Sequence, residues 1–180
     1  MNRDAAIEPR YNALLQVLRT ADRIWNTSRL FFGRWDLSPS QFNVLNLLRD
    51  HPDGLSQIEL SRQLIMHRSN ATGLVDRLEL RGLVQRNDLA SDRRAYRVVL
   101  TSRGLVLLEQ ILPLYYRRAD ELWDSMTAER VSQLTSDLKQ LAAKAERIGR
   151  QEEELTRRPQ LQQERTVQSR SRKEDDSAET

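Results

Sequence analysis

The spacing of apolar residues is the feature that most constrains the fold of this chain. The spacing follows the period of an α-helix almost throughout and changes to another pattern in one segment only. Within residues 9–32, Leu14, Leu18 and Trp25 fall on one face of a helix. Residues 83–100 instead contain two short runs, LVQR and AYRVVL, separated by the polar stretch NDLASDRR, which is typical of a β-hairpin. We therefore expect a mainly α-helical fold with one small β-hairpin.

Local signals predict where the helices begin and end. Ser38 with Gln41, and Ser56 with Glu59, have the spacing of capping boxes, and Gly82 is placed to end a helix in the left-handed conformation. The helices are then expected over residues 9–32, 39–51, 57–63, 68–81, 102–123 and 127–148.

Composition excludes several classes of protein. The 180 residues include no cysteine, which excludes disulfides, cysteine-bound zinc and thiol redox sensing. There is no apolar run of about 18 residues and no signal-peptide core at the N-terminus, so we expect a cytoplasmic protein without a membrane contact. The chain also lacks a Gly-rich phosphate loop and the common nucleophile and metalloprotease motifs. We therefore expect that the protein is not an enzyme and that it has no catalytic residues, no cofactor and no metal site.

Three parts of the chain differ in composition. Residues 36–101 hold the short helices and the hairpin, whereas residues 1–35 and 102–148 hold long amphipathic helices and are expected to form a helical dimerisation region. Residues 149–180 have only four apolar residues and 15 charged ones, which predicts a disordered charged tail. The last predicted helix has a heptad seam that needs a partner helix, formed by Val131, Leu134, Leu138, Leu141, Ala145 and Ile148.

The two short helices around residue 65 have the order of a helix-turn-helix. In this motif the second helix enters the major groove, and its first residues meet the base edges. Here the front of that helix is polar and its back is apolar, with Leu74, Val75 and Leu78. Arg reads guanine, Asn reads adenine, and Ser or Thr bind bases or phosphates. The candidate major-groove residues are Arg68, Ser69, Asn70, Thr72 and Arg77.

The hairpin carries a second basic cluster. Residues 56–104 contain nine arginines and five acidic residues, a net charge of +4 against +3 for the whole chain. Positive charge is therefore concentrated where DNA would lie. A hairpin tipped with arginine fits the narrow minor groove, where the negative potential is enhanced. The candidate wing contacts are Arg86, Asp92, Arg93 and Arg94.

Three blocks of the sequence resemble the MarR family (multiple antibiotic resistance regulators). RLELRGLVQR at residues 77–86, SDRRA at 91–95 and VLTSRG at 99–104 match, in order and spacing, the family's RLExxGLVxR segment, DRR wing and LTxxG helix opening. The resemblance covers about residues 10–148. It implies a winged helix-turn-helix homodimer that binds a pseudo-palindrome in double-stranded promoter DNA, usually as a repressor. In many members a small phenolic or lipophilic ligand, bound between the dimerisation and DNA-binding regions, releases the DNA.

The resemblance also implies roles for single residues. Arg94 matches the wing arginine that enters the minor groove, and Asp92 matches the acid that orients it. Gly73 departs from the family, which often has a larger polar residue there; a glycine inside a helix costs about 1 kcal/mol relative to alanine. One base-reading side chain is then absent, or the backbone comes closer to DNA. The base-reading positions are matched by Ser69, Asn70 and Thr72.

An effector site is weakly specified by the sequence. Each of its candidate residues, by type, more often packs in a core or a dimer interface. Two other functions stay open: a helical scaffold for a protein partner, and a non-specific DNA-organising protein. Sequence-specific DNA binding distinguishes a regulator from a scaffold for a protein partner. A DNA-organising protein would bind DNA with the same salt dependence but without a sequence preference. The candidate ligand-cleft residues are Trp25, Arg29, Phe42, Asn43 and Tyr115.

Overall fold

The computed structural model describes the backbone of residues 3–65, 70–89 and 92–178, and the side chains of residues 8–65, 70–88 and 96–156. The chain divides into two compact units, Met1–Arg117 and Arg118–Thr180. The first unit contains five helices and a two-stranded antiparallel hairpin among its described residues, so the predicted fold class is confirmed.

Helix α1 (Arg3–Phe32) begins six residues before the predicted start at Pro9. The prediction used the preference of proline for a first turn, but residues 3–8, RDAAIE, include the good helix formers Arg, Ala and Glu, and the helix begins before the proline. A single 3₁₀ turn, Gly33–Trp35, follows and ends at Asp36, which has a positive φ of 51°.

Helices α2 (Pro39–Arg49) and α3 (Gln57–Gln63) begin at the two predicted capping boxes, and both boxes are confirmed. The Ser38 hydroxyl accepts from the Gln41 N–H at 3.1 Å, and the Gln41 side chain accepts from the Ser38 N–H at 2.8 Å. The second box has a charged member. The backbone N–H and the hydroxyl of Ser56 hold the pKa of Glu59 below its ordinary value.

Helix α4 (Ala71–Leu80) is followed by Arg81 and then by Gly82, whose φ of +67° confirms the predicted left-handed cap. Strands β1 (Val84–Leu89) and β2 (Asp92–Leu100) follow and pair with Val84 opposite Leu100. Both strands extend beyond the predicted runs into the polar stretch, because cross-strand pairing propagates past the apolar residues, with a register irregularity after Asp88.

Helix α5 (Ser102–Trp123) begins at Thr101, whose hydroxyl accepts from the Gly104 N–H at 3.0 Å. Gly104 is required by packing, since a Cβ there would lie 2.1 Å from the carbonyl oxygen of Leu83. The glycine of the LTxxG block therefore lets the first turn of α5 sit directly against the start of the hairpin.

One apolar core fills the first unit. It includes Phe32 at the end of α1 and Leu108 and Ile111 in α5, together with buried residues of α2, α3, α4 and the hairpin. Residues on both sides of the predicted boundary between 35 and 36 contribute to this core, and the predicted role of the long helices in dimerisation stays a prediction. The ends of the long helices complete the core under the short ones.

The second unit contains the end of α5 and helix α6 (Ala128–Ala178). Along α6 the side chains of residues 135–156 are all exposed, including the predicted seam residues Leu138, Leu141 and Ile148. The helical backbone also continues through the segment predicted to be disordered. Glu, Gln and Arg dominate residues 150–165, and these residue types have a high intrinsic preference for helix.

No helix in the described part of the chain is long and apolar enough to cross a membrane. Among the same residues, no three His, Asp or Glu side chains are grouped closely enough to hold a metal ion.

Candidate nucleic-acid interface

Helix α4 has one buried and one exposed face. Leu74, Val75 and Leu78 are each at most 3% exposed and pack into the core, as the apolar back of the helix predicts. Thr72 and Arg77, both predicted major-groove residues, are exposed. The helix is therefore fixed by its rear while its front stays open to a ligand.

Asn70 lies directly before the first turn of α4, and its side chain makes no capping hydrogen bond. The Asn70 Oδ1 atom occupies the space beside Gly73: a Cβ added to that glycine would lie 2.7 Å from it. Gly73 thus leaves room for the Asn70 amide over the front of the helix. Gly73 offers no side chain to read a base, and the space that a side chain would fill is occupied by the Asn70 amide.

Arg86 is engaged within the protein, although the sequence predicts it as a wing contact. Its guanidinium donates to Asp76 and Glu79 of α4, and Glu79 also accepts from the Arg86 N–H at 2.9 Å. Burial opposes the charge, but hydrogen bonds to Asp76, Tyr96 and Glu79 outweigh it and raise the pKa of Arg86. The residue joins the hairpin to α4. Its predicted contact with DNA stays a prediction.

Two further arginines, which the sequence reasoning did not single out as anchors, tie the elements together. Arg97 of β2 donates to the carbonyl oxygens of Asp53 and Gly54 at 3.0 Å and lies 3.6 Å from Glu59. Arg81 donates to the carbonyl of Trp35 at 3.0 Å. No short-range pattern signals these contacts, because each joins residues more than 35 positions apart.

Several predicted contacts fall outside what can be described. Arg68 and Ser69 lie outside the described residues. Asp92, Arg93 and Arg94 belong to the backbone of β2, with side chains outside the described set. Their roles stay predictions.

A cavity of about 460 Å³ lies between the end of α1, the start of α2 and helix α4. Trp25 and Arg29, both predicted ligand-cleft residues, line it. Asn70 and Arg77 of α4 line it as well, so the cavity shares two residues with the predicted DNA-reading surface. Arg29, Arg77 and Asp36 are its charged lining residues, which leaves a net positive charge.

The other three predicted cleft residues do not line this cavity. Phe42 is 6% exposed, stacks on Phe32 with ring centroids 4.1 Å apart, and contacts the Tyr115 ring at 5.3 Å. Asn43 is half-buried on α2. Phe42 and Tyr115 belong to an aromatic cluster packed at the core, and their predicted role in a ligand cleft stays a prediction.

Comparisons with known proteins agree with this architecture. The model of the MarR family matches residues 35–95. The chain is 32% identical over 130 residues to the HTH-type transcriptional regulator PapX of Escherichia coli, covering 71% of this chain and 79% of PapX. It is 32% identical over 100 residues to the HTH-type transcriptional repressor YetL of Bacillus subtilis, covering 55% and 60% of the two chains.

The fold is shared with solved structures. The crystal structure of wild-type apo MarR from Escherichia coli superposes with a TM-score of 0.58 at 26% identity, covering 71% of this chain and 96% of MarR. PapX and YetL are transcription regulators by name, and the chain shares with MarR a mainly helical fold that includes one β-hairpin. The chain therefore belongs to the MarR family of winged helix-turn-helix, DNA-binding transcription regulators.

Proposed function

We propose that this protein is a repressor that binds a pseudo-palindromic promoter site as a homodimer and is released by a small acidic or phenolic aromatic ligand. The observation that carries the proposal is the geometry of α4. Its apolar back is buried, while Asn70 and Thr72 stand at its front beside the base of an arginine-rich hairpin. This arrangement supports insertion of the helix into the major groove, with the hairpin at the adjacent minor groove.

Exposed apolar faces support the homodimer. Tyr11, Leu14 and Leu18 of α1 are 48–58% exposed, although they lie on one side of the helix. In α6, the heptad seam is likewise exposed from Leu138 onward. Faces of this kind are buried by a partner helix in stable proteins, and a second copy supplies two matching faces by symmetry.

The cavity supports an effector. Trp25 offers an aromatic surface, and Arg29 and Arg77 offer donors to a carboxylate or phenolate oxygen. A ligand held there meets Asn70 and Arg77, which are also predicted to contact DNA. Ligand and DNA then compete for the same side chains.

The test of DNA binding uses sheared genomic DNA from the source organism at about physiological salt, where non-specific binding is weak. We expect recovery of fragments that share a pseudo-palindrome with half-sites one helical turn apart. Uniform recovery of all fragments would instead support a DNA-organising protein. No recovery, from protein freed of small molecules by dialysis, would support a scaffold for a protein partner.

The test of the effector adds benzoate and hydroxybenzoate to the protein–DNA complex and follows release by fluorescence anisotropy. Arg29→Gln should raise the ligand concentration needed for release by about tenfold, because a hydrogen bond to a charged group is lost. Its DNA affinity without ligand should stay unchanged. Arg19→Gln, an exposed arginine on the same helix, serves as the matched control. Equal release from wild type and Arg29→Gln would contradict this site.

A further inference from the structure

A chain of hydrogen bonds joins three elements beneath the front of α4. The Tyr96 hydroxyl of β2 donates to Gln57 Oε1 at the start of α3. The Gln57 Nε2 amide donates in turn to Thr72 Oγ1 in the first turn of α4. Gln57 and Tyr96 are half-buried, whereas Thr72 is exposed. The chain thus begins in the packed base of the hairpin and ends at the open face of the helix.

The direction of this chain is set at Tyr96. Its ring packs against the core, and the Arg86 guanidinium lies over the ring, 5.1 Å from its centroid. The phenol hydrogen of Tyr96 is donated to Gln57 Oε1. Because an amide oxygen can only accept, Gln57 must direct its oxygen to Tyr96 and its NH₂ group to Thr72.

The direction decides what Thr72 can offer to DNA. A threonine hydroxyl has one hydrogen and two lone pairs. Gln57 donates to the oxygen, and among the residues that the structure describes none accepts the hydrogen of Thr72, which leaves that hydrogen available as a donor. We infer that Gln57 and Tyr96 are positioning residues that make Thr72 a hydrogen-bond donor, so that α4 selects a base pair presenting an acceptor at that place in the major groove.

The acceptors available there are N7 of a purine, O6 of guanine and O4 of thymine. The inference rests on the proposed insertion of α4 into the major groove. It adds two residues, Gln57 and Tyr96, that read no base themselves. A purely structural role for the pair would predict lower stability without any change in base preference.

The experiment selects binding sites from randomised double-stranded DNA with the full-length protein and its variants. Wild type should prefer an acceptor-presenting base by about tenfold at one position in each half-site. Thr72→Val, which keeps the shape of the side chain, should lose the preference at that position only. Tyr96→Phe should weaken it, because the Gln57 amide is then free to turn over.

Gln57→Glu is the sharpest variant. A carboxylate only accepts, so Thr72 must donate to it and can offer only lone pairs to DNA. The preferred base should change to one that presents a donor, adenine N6 or cytosine N4. The added negative charge lowers affinity for all sequences alike and leaves relative preferences unaffected. In the double variant Gln57→Glu with Thr72→Val, the new preference should disappear.

Three outcomes would overturn the inference, and they differ in what else they contradict. Selection of no sequence by wild type would contradict the proposed function as well. A clear wild-type site that Thr72→Val leaves unchanged would contradict only the role of Thr72. A site that Thr72→Val alters but Gln57→Glu does not would contradict the donor assignment. Circular dichroism checks that each variant is folded, and Tyr116→Phe, an exposed tyrosine on α5, controls for loss of a phenol elsewhere.

Discussion

The winged-helix part of the chain and helix α6 differ in whether their regularly spaced apolar side chains are buried. In α2 and α4 the leucines and valines that follow the helical period are almost fully buried within the same chain. In α6 an equally regular series is exposed, with Leu141 at 44% and Ile148 at 51%. The same helical spacing of apolar residues is therefore found in helices that bury these residues in the core and in a helix whose apolar residues are exposed in the single chain. In the proposed homodimer, the second region would bring two copies of the first together on the DNA.

The largest effect is expected from charges placed in the α6 seam. Leu138→Glu with Leu141→Glu should convert the dimer to a monomer, since four like charges would face one another across the seam. DNA affinity should fall by about 100-fold or more, because the two half-sites are then bound independently. Analytical ultracentrifugation and DNA titration measure the two effects.

The matched control places the same charges on the opposite face of α6, as Ser136→Glu with Ala143→Glu, where both residues are exposed. A dimer should persist there. If the seam variant also stays dimeric at micromolar concentration, the seam is not the dimer contact, and the contrast between the two regions is lost.

An intermediate effect is expected at Gly73 in the winged-helix part. Gly73→Ala should stabilise the protein by up to about 1 kcal/mol, because alanine is the better helix former. The new Cβ displaces Asn70 Oδ1, so the base preference attributed to Asn70 should weaken at the same time. Urea denaturation and site selection measure the two changes.

Gly149→Ala in α6 is the control, since nothing lies within 4 Å of a Cβ at that position. It should leave base preference as in wild type. An unchanged preference in Gly73→Ala would show that Asn70 does not need the space beside the helix to read DNA.

The smallest effect distinguishes the two capping boxes. The pKa of Glu59 is lowered in the folded protein, so its stabilising contribution is present above the ordinary pKa of 4.5 and is lost as the pH falls through the folded value. Glu59→Gln keeps an acceptor for the Ser56 N–H but removes the titration. Its stability relative to wild type should therefore improve on going from pH 7 to pH 4, measured by urea denaturation.

The converse substitution, Gln41→Glu in the first box, should introduce acid sensitivity where wild type has none from this position. Parallel pH dependence of wild type and Glu59→Gln would mean that other carboxylates govern the acid response.

Features that depend on residues close together in the sequence were predicted correctly, whereas contacts between distant residues were not. Both capping boxes and the Gly82 cap depend on residues at most four positions apart, and they were predicted correctly. The partners of Arg86 could not be predicted, because charge alone does not tell an arginine that binds phosphate from one that holds a helix. The packing of Phe42 against Tyr115 could not be predicted either, because an aromatic side chain suits a cleft and a core equally well until the tertiary contacts are known.

The candidate site shows the same limit. The polar front of α4 was evident from composition, but the link from Tyr96 through Gln57 to Thr72 joins residues 15 and 39 positions apart. The spacing of Glu79 and Arg86 on either side of the Gly82 turn is the one local hint of an anchor, and it becomes readable only once the hairpin is known to fold back on α4.

If the cavity lined by Asn70 and Arg77 binds an effector, as proposed, its position has a consequence for gene control. Thermodynamic coupling is reciprocal: a ligand that weakens DNA binding by some factor is itself bound more weakly, by the same factor, when DNA is present. Promoters whose sites engage these two side chains most strongly would therefore need the most ligand for induction. As the ligand accumulates, a repressor of this design would release its promoters one after another. The order of release would be set by how strongly each operator engages these two side chains.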